Sequence, residues 1–164
     1  MPRWPGPGRF ASGFPGGSHG AHCRAGGKGA DTADAAKYGA DKVFTPTGGD
    51  FGVYNSEIYG TALASFCKSS GCDILLIGST AMGKDLAPRA AARLDAGCVS
   101  DAVGLSWDGG LVVRRPVFAG KCFADVTCNG GAAVVGIRPN AFAADEHGGA
   151  VAGDVVVDVQ ADLR

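Results

Sequence analysis

The amino-acid sequence predicts an α/β fold: a three-layer sandwich on a mainly parallel sheet, with antiparallel strands added in its later half. Three observations predict it. Residues 74–77, Ile-Leu-Leu-Ile, form a continuous apolar run. A strand apolar on both faces is buried on both faces, as in a parallel sheet covered by helices. Residues 56–70 carry Ile58, Tyr59, Ala62, Leu63, Phe66 and Cys67 at spacings of three and four, which is one apolar helix face. Beyond residue 98 the pattern changes to short strand-like runs, two of them joined through Asp108-Gly109, a hairpin signal.

The elements follow in order. Residues 1–28 crowd Gly and Pro together without an apolar period. Such a stretch buries too little apolar surface to offset its ordering entropy, so it reads as a disordered or artefactual leader. Patterned sequence begins near Asp31. Residues 32–38 are Ala-rich and helix-compatible, with Gly39 as a stop. Lys42-Val43-Phe44 is a short strand that Pro46 and Gly48-Gly49 break. The helix over 56–70 ends at Gly71, and the buried strand over 73–78 follows. A small-residue turn, Ser79 to Gly83, leads to a helix over 84–96. Pro88 is tolerated only in a first turn, where its missing N–H costs nothing, so that helix is expected to start near Asp85. Strand-like runs occupy 99–107, 111–117, 121–128 and 133–137. Residues 139–153 have linker composition, and 154–159 form a last alternating segment.

Bulk properties exclude several functions. The 164 residues suit one domain. A formal net charge of −1 gives no long-range pull toward nucleic acid or anionic membrane. The longest apolar run, four residues, is far short of the ~20 that span a bilayer. None of the six cysteines forms a Cys-x-x-Cys pair. They read as reduced, small apolar residues of a cytosolic protein. His19, His22 and Cys23 lie close together in sequence, but zinc would need a fourth ligand and a rigid loop. No metal site is expected.

The best local candidate for chemistry is Gly78 to Asp85, between a buried strand and a helix start. Backbone N–H groups there can hold an anion. Gly78 and Gly83 have the Walker spacing before Lys84, but Asp85 stands where Ser or Thr should bind magnesium. The alternative is a tight turn with Asp85 as N-cap. Lys84, Arg89 and Arg93 form either a basic patch or a solvated face with Asp85 and Arg89 paired. Ser100-Asp101 has no nucleophile elbow, and His147 is the one histidine in patterned sequence, so no hydrolase is expected. Arg114, Arg115 and Arg138 lie at strand ends, where they either grip carboxylate or phosphate or cap the strands. No catalytic, cofactor-binding or metal-ligating residue is assigned.

Read together, TAMGKDLAPRAAARLDAGCVSDAVGL at 80–105, RPVFAGKCFADV at 115–126 and GIRPNAF at 136–142 resemble the α subunit of electron-transfer flavoproteins, the FixB type. Gly83 to Arg89 match its G-[KR]-D-L-A-P-R motif, and Ser100-Asp101 its S-D. Arg115, Pro116, Phe118, Ala119, Gly120 and Lys121 match R-P-x-[YF]-A-G-[KN]. Arg138, Pro139 and Phe142 match the last motif, and Ala36 to Val43 also fit. The resemblance covers residues 29–142 and implies an adenine nucleotide alpha hydrolase-like, N-terminal-type domain, incomplete at its first strand and helix. Residues 143–164 would then be a linker toward a domain that holds the FAD. It implies a heterodimer with a β subunit that carries electrons from dehydrogenases, such as those of fatty acid β-oxidation, to a quinone oxidoreductase. Location would be the bacterial cytoplasm, or the mitochondrial matrix in a eukaryote. No family flavin residue maps onto this chain, and the fragment alone is expected to bind no FAD and to be an electron carrier's part rather than an enzyme. The rival readings are a stand-alone AMP- or ATP-binding module of universal-stress-protein type and an unstable gene fragment.

Overall fold

The structure, a computed structural model, describes residues 10–12, 20–23, 40–47, 51, 53–143 and 154–158; the side-chain description covers 51 and 53–143. In chain order the elements are β1 (Phe10–Ser12), β2 (Gly20–Cys23), β3 (Ala40–Thr47), α1 (Ser56–Ser70), β4 (Ile74–Gly78) and α2 (Ala81–Leu94). They continue with β5 (Gly97–Ala102), β6 (Gly104–Trp107), β7 (Leu111–Val117), β8 (Cys122–Thr127), β9 (Ala133–Ile137) and β10 (Asp154–Asp158). Seven strands form one sheet in the order β10-β3-β2-β1-β4-β9-β5, with every neighbouring pair parallel. The other three form an antiparallel sheet, β6-β7-β8.

The layers follow from the residue patterns. β9 reads Ala-Val-Val-Gly-Ile and is buried on both faces. Val134 packs with Leu75 and Ile77 of β4, Leu63 and Phe66 of α1, and Leu86 and Ala90 of α2. Val135 faces the other way, toward Ile74, Val99 and the Leu111 and Val113 side chains of β7. Helices thus cover one face of the parallel sheet, and the antiparallel sheet covers the other. Each fully buried valine contributes roughly 1.5–3 kcal/mol over an exposed one.

α1 begins where the Asn55 side chain accepts from the Glu57 N–H, at 2.9 Å, and ends at Gly71 with φ 63°. Gly71 is the expected stop, because its left-handed backbone costs a glycine nothing. α2 differs from expectation. It starts at Ala81, one turn before Asp85, with Thr80 as its cap. Pro88 therefore lies inside the helix, not in its first turn. The proline removes one backbone bond, at about 3 kcal/mol. Burial of Leu86, Ala87, Ala90 and Ala91 against the sheet offsets that loss.

Further expectations are corrected. Residues 10–12 and 20–23, inside the leader expected to lie outside the fold, run as strands of the main sheet. Residues 154–158, expected in a linker, pair with β3 as its edge. Pro46 does not break β3. At that point β3 pairs with β10 alone, so the missing N–H can face the unpaired side. The run over 99–107 is two strands in two sheets, and residues 133–137 are parallel, not antiparallel. The Asp108-Gly109 hairpin forms as expected, with Gly109 at φ 65°. Cys67 is a buried core residue, but Cys98 and Cys122 are exposed. The helix expected over 32–38, His19 and His147 lie outside the described residues.

Candidate functional site

The turn before α2 is closed upon itself. Ser79 N–H donates to the Ile137 carbonyl at 2.7 Å, and Thr80 N–H to the Gly78 carbonyl at 2.8 Å. Gly83 N–H donates to Thr80 Oγ1 at 3.1 Å, and Lys84 N–H to the Thr80 carbonyl at 2.9 Å. A phosphate cradle needs such N–H groups free. Gly83 has a packing role instead: a Cβ there would lie 1.7 Å from the Gly78 carbonyl oxygen. The glycine lets α2 touch the end of β4.

Asp85 is not the helix cap. Its carboxylate accepts from Arg89 Nε at 3.0 Å and from the Tyr54 hydroxyl at 2.9 Å. Those two bonds, Arg89 first, hold the Asp85 carboxyl below its usual range. Burial, and then the bond to Asp85, push the Tyr54 phenol up to about 12. Arg89 also pairs with Glu57 at 2.9 Å, and Arg93 pairs with the same carboxylate. Arg89 and Arg93 are therefore neutralised in a network that ties α2 to α1. Exposed pairs of this kind contribute about 0–1 kcal/mol each.

A different constellation forms at the carboxyl ends of β5 and β9. Asp101 lies at an irregularity in β5, with φ 66°, between the residues that pair with Val135 and Ile137. Its carboxylate accepts two bonds from Arg138, Nε to Oδ1 at 2.8 Å and Nη2 to Oδ2 at 2.6 Å. The Arg138 guanidinium holds the Asp101 carboxyl below its usual range, aided by the charges of Lys84 and Arg115. Arg115 lines the same groove, an open depression of about 440 Å³. Its Nε is buried without an acceptor among the described residues. The β7–β8 turn also lines the groove. There Phe118, Ala119 and Gly120 have φ of 51°, 55° and 85°. Asn and Gly are the usual residues for such a turn; two side-chain-bearing residues in the left-handed region cost about 1–2 kcal/mol each. The turn leaves Phe118 78% exposed.

So Asp101, Arg115, Arg138 and the Phe118-Ala119-Gly120 turn, far apart in sequence, meet in one place. Lys84 acts on it through its charge. Arg89 does not reach it, and Arg114 is held by Asp125 across the hairpin at 2.7 Å. Sequence reasoning placed these arginines one by one at strand ends; Arg138 does follow the end of β9, but Arg114 and Arg115 lie inside β7. That reasoning missed the groove, because β5 and β9 become neighbours only in the sheet.

Comparison with known proteins bears on the same residues. The electron transfer flavoprotein domain matches residues 23–163. The chain belongs to that family. An electron transfer flavoprotein subunit alpha of Bacillus subtilis (strain 168) is 38% identical over 130 residues, 77% of this chain and 40% of the relative. A protein FixB of Clostridium saccharobutylicum is 33% identical over 98 residues, 58% of this chain and 29% of the relative. The subunit alpha of Megasphaera elsdenii is 28% identical over 123 residues. The chain thus spans about 40% or less of the length of these relatives. The family match runs past both ends of the expected span 29–142, and its last part includes β10. As to the flavin that the family name implies, no flavin contact is assigned to the described residues. Among those residues no helix is long and apolar enough to cross a membrane.

Proposed function

We propose that this chain provides the first α/β domain of an electron transfer flavoprotein α subunit. In this reading it pairs with a β subunit. The assembled protein carries electrons on FAD from dehydrogenases, such as acyl-CoA dehydrogenases, to a quinone oxidoreductase in the bacterial cytoplasm. The domain is a scaffold and a docking half, and contributes no nucleophile or acid–base pair. The observation that carries the proposal is the convergence of three family motifs on one groove: S-D at 100–101, R-P-x-F-A-G-K at 115–121, and R-P at 138–139. An open groove with arginines and an exposed phenylalanine suits a polypeptide surface better than an enclosed small-molecule site.

Co-expression with the cognate β subunit tests it. The expected result is a stable one-to-one complex on size exclusion. Two separate proteins would refute the docking reading. The isolated chain is expected to show no flavin absorbance near ~450 nm, since the isoalloxazine chromophore belongs to the cofactor. A flavin band in proportion to protein would refute that part. The nucleotide-module alternative is disfavoured by the self-bonded turn at 78–84. Micromolar AMP or ATP binding in calorimetry, lost on Gly83→Val, would restore it.

A further inference from the structure

The three arginines next to the groove invite comparison. Arg114 grips Asp125 through Nε and Nη2, both at 2.7 Å. Arg138 grips Asp101 through the same two atoms. Each uses the planar two-point edge that fits a carboxylate. Arg115 follows Arg114 on β7 and lines the groove with Arg138, yet its Nε is buried and meets no acceptor among the described residues. A buried donor without an acceptor is costly, more so when charged. Asp101 is already held by both of its oxygens. Among the described residues that line the groove or act on Asp101 through charge, Lys84, Arg115 and Arg138 stand against Asp101.

We propose that Arg115 anchors a carboxylate from a partner polypeptide, an Asp or Glu side chain or a chain terminus lying next to an apolar residue. The carboxylate enters the open groove and pairs with the guanidinium of Arg115, which lines it, and the apolar neighbour packs on the exposed Phe118. A doubly charged phosphate fits less well, because Asp101 shares the groove. Charge complementarity and the open shape both favour an acidic polypeptide over a small metabolite. Phe118, exposed on the left-handed turn at 118–120, lines the same groove as Arg115. That the partner is the β subunit rests on the function proposed above; the carboxylate chemistry does not.

Two measurements test this. The first is binding of the cognate β subunit to the full 164-residue chain and to Arg115→Leu, Arg115→Lys and Arg114→Leu. Losing one partner of a buried charge pair weakens binding by about tenfold or more. Arg115→Leu is expected to show that loss, Arg115→Lys a smaller one, and Arg114→Leu none. The second is an acetate titration of the 15N-labelled chain, with matched chloride as control. The Arg115 Nε–Hε signal, assigned by its absence in Arg115→Lys, is expected to shift saturably while that of Arg114 does not. Arg115→Lys keeps the charge and the stem, so it remains informative if the leucine variant fails to fold. An Arg115→Leu chain that binds the β subunit like the wild type overturns the anchor. So does an Arg115 signal that moves no more with acetate than with chloride. A wild-type chain that ignores the β subunit while acetate saturates Arg115 overturns the heterodimer and supports the carboxylate site.

Discussion

Gly83→Ala separates a packing glycine from a phosphate-loop glycine. The new methyl would lie 1.7 Å from the Gly78 carbonyl oxygen, 2.9 Å from its carbon and 3.3 Å from Ile77 Cγ2. Ordinary carbon–oxygen contact needs over 3 Å, so α2 must move off β4 by about 1.5 Å or tilt. The obstacle is backbone on a central strand and cannot swing aside. Overpacking of this kind costs about 1–3 kcal/mol, and a backbone clash belongs at or above the upper end. Against it stands the helix preference of Ala over Gly, about 1 kcal/mol. The net loss is about 2 kcal/mol. At about 2.1 cal/mol/K of unfolding entropy per residue, a chain of 164 residues then loses about 6 °C in Tm. Calorimetry or circular dichroism melts read this directly. Gly110→Ala is the control, since a Cβ there meets nothing within 4 Å. A Gly83→Ala protein melting within about 1 °C of wild type would refute the packing role.

Gly136→Ala brings a Cβ to 2.8 Å from Ser79 Oγ. It is expected to lower Tm, and Ser79→Ala in the same chain should recover part of the loss; strict additivity would argue against direct contact. Phe66→Ala, at a fully buried position, should cost about 3–5 kcal/mol in urea unfolding, whereas Phe118→Ala should stay within about 0.5 kcal/mol. Equal effects would contradict their burial. The Tyr54 phenol is raised from 10.0 to about 12 in the folded chain. Burial of the neutral phenol, together with its bond to Asp85, therefore stabilises the fold fully below pH 10, and that part is lost as pH rises through about 12. The urea midpoint should fall more steeply across that window for the wild type than for Tyr54→Phe; parallel curves would show the phenol to be unperturbed.

Local physics was legible where the residue pattern alone decides. The apolar face of α1, its stop at Gly71, the two-sided burial of β4 and the Asp108-Gly109 hairpin all follow from spacing and backbone preference. What stayed hidden depends on neighbours. The strands at 10–12 and 20–23 have weak patterns of their own and belong to the sheet through the ladders beside them. The division of 99–107 at Val103 follows from the left-handed backbone of Asp101, which the type of that residue permits but does not require. The start of α2 was misjudged because a proline rule was applied without knowing how much surface the helix buries. For the candidate site, every residue was visible in the sequence. The bond between Asp101 and Arg138 was not, since nothing local says that β9 lies next to β5.

That placement of β9 bears on how the chain reaches its fold. β4 and β5 are synthesised first, yet the native sheet keeps them one strand apart until residues 133–137 slip between them. Direct annealing of β4 to β5 is the obvious wrong turn, since both present parallel-ready edges and β4 is strongly apolar. The β6–β8 meander forms from contacts close in sequence, so it can assemble early. By resting on Val99 and Ala102 it can act as a template that hands β9 to its slot. Lengthening the 128–132 connection should then slow refolding and raise aggregation while leaving the finished structure unchanged.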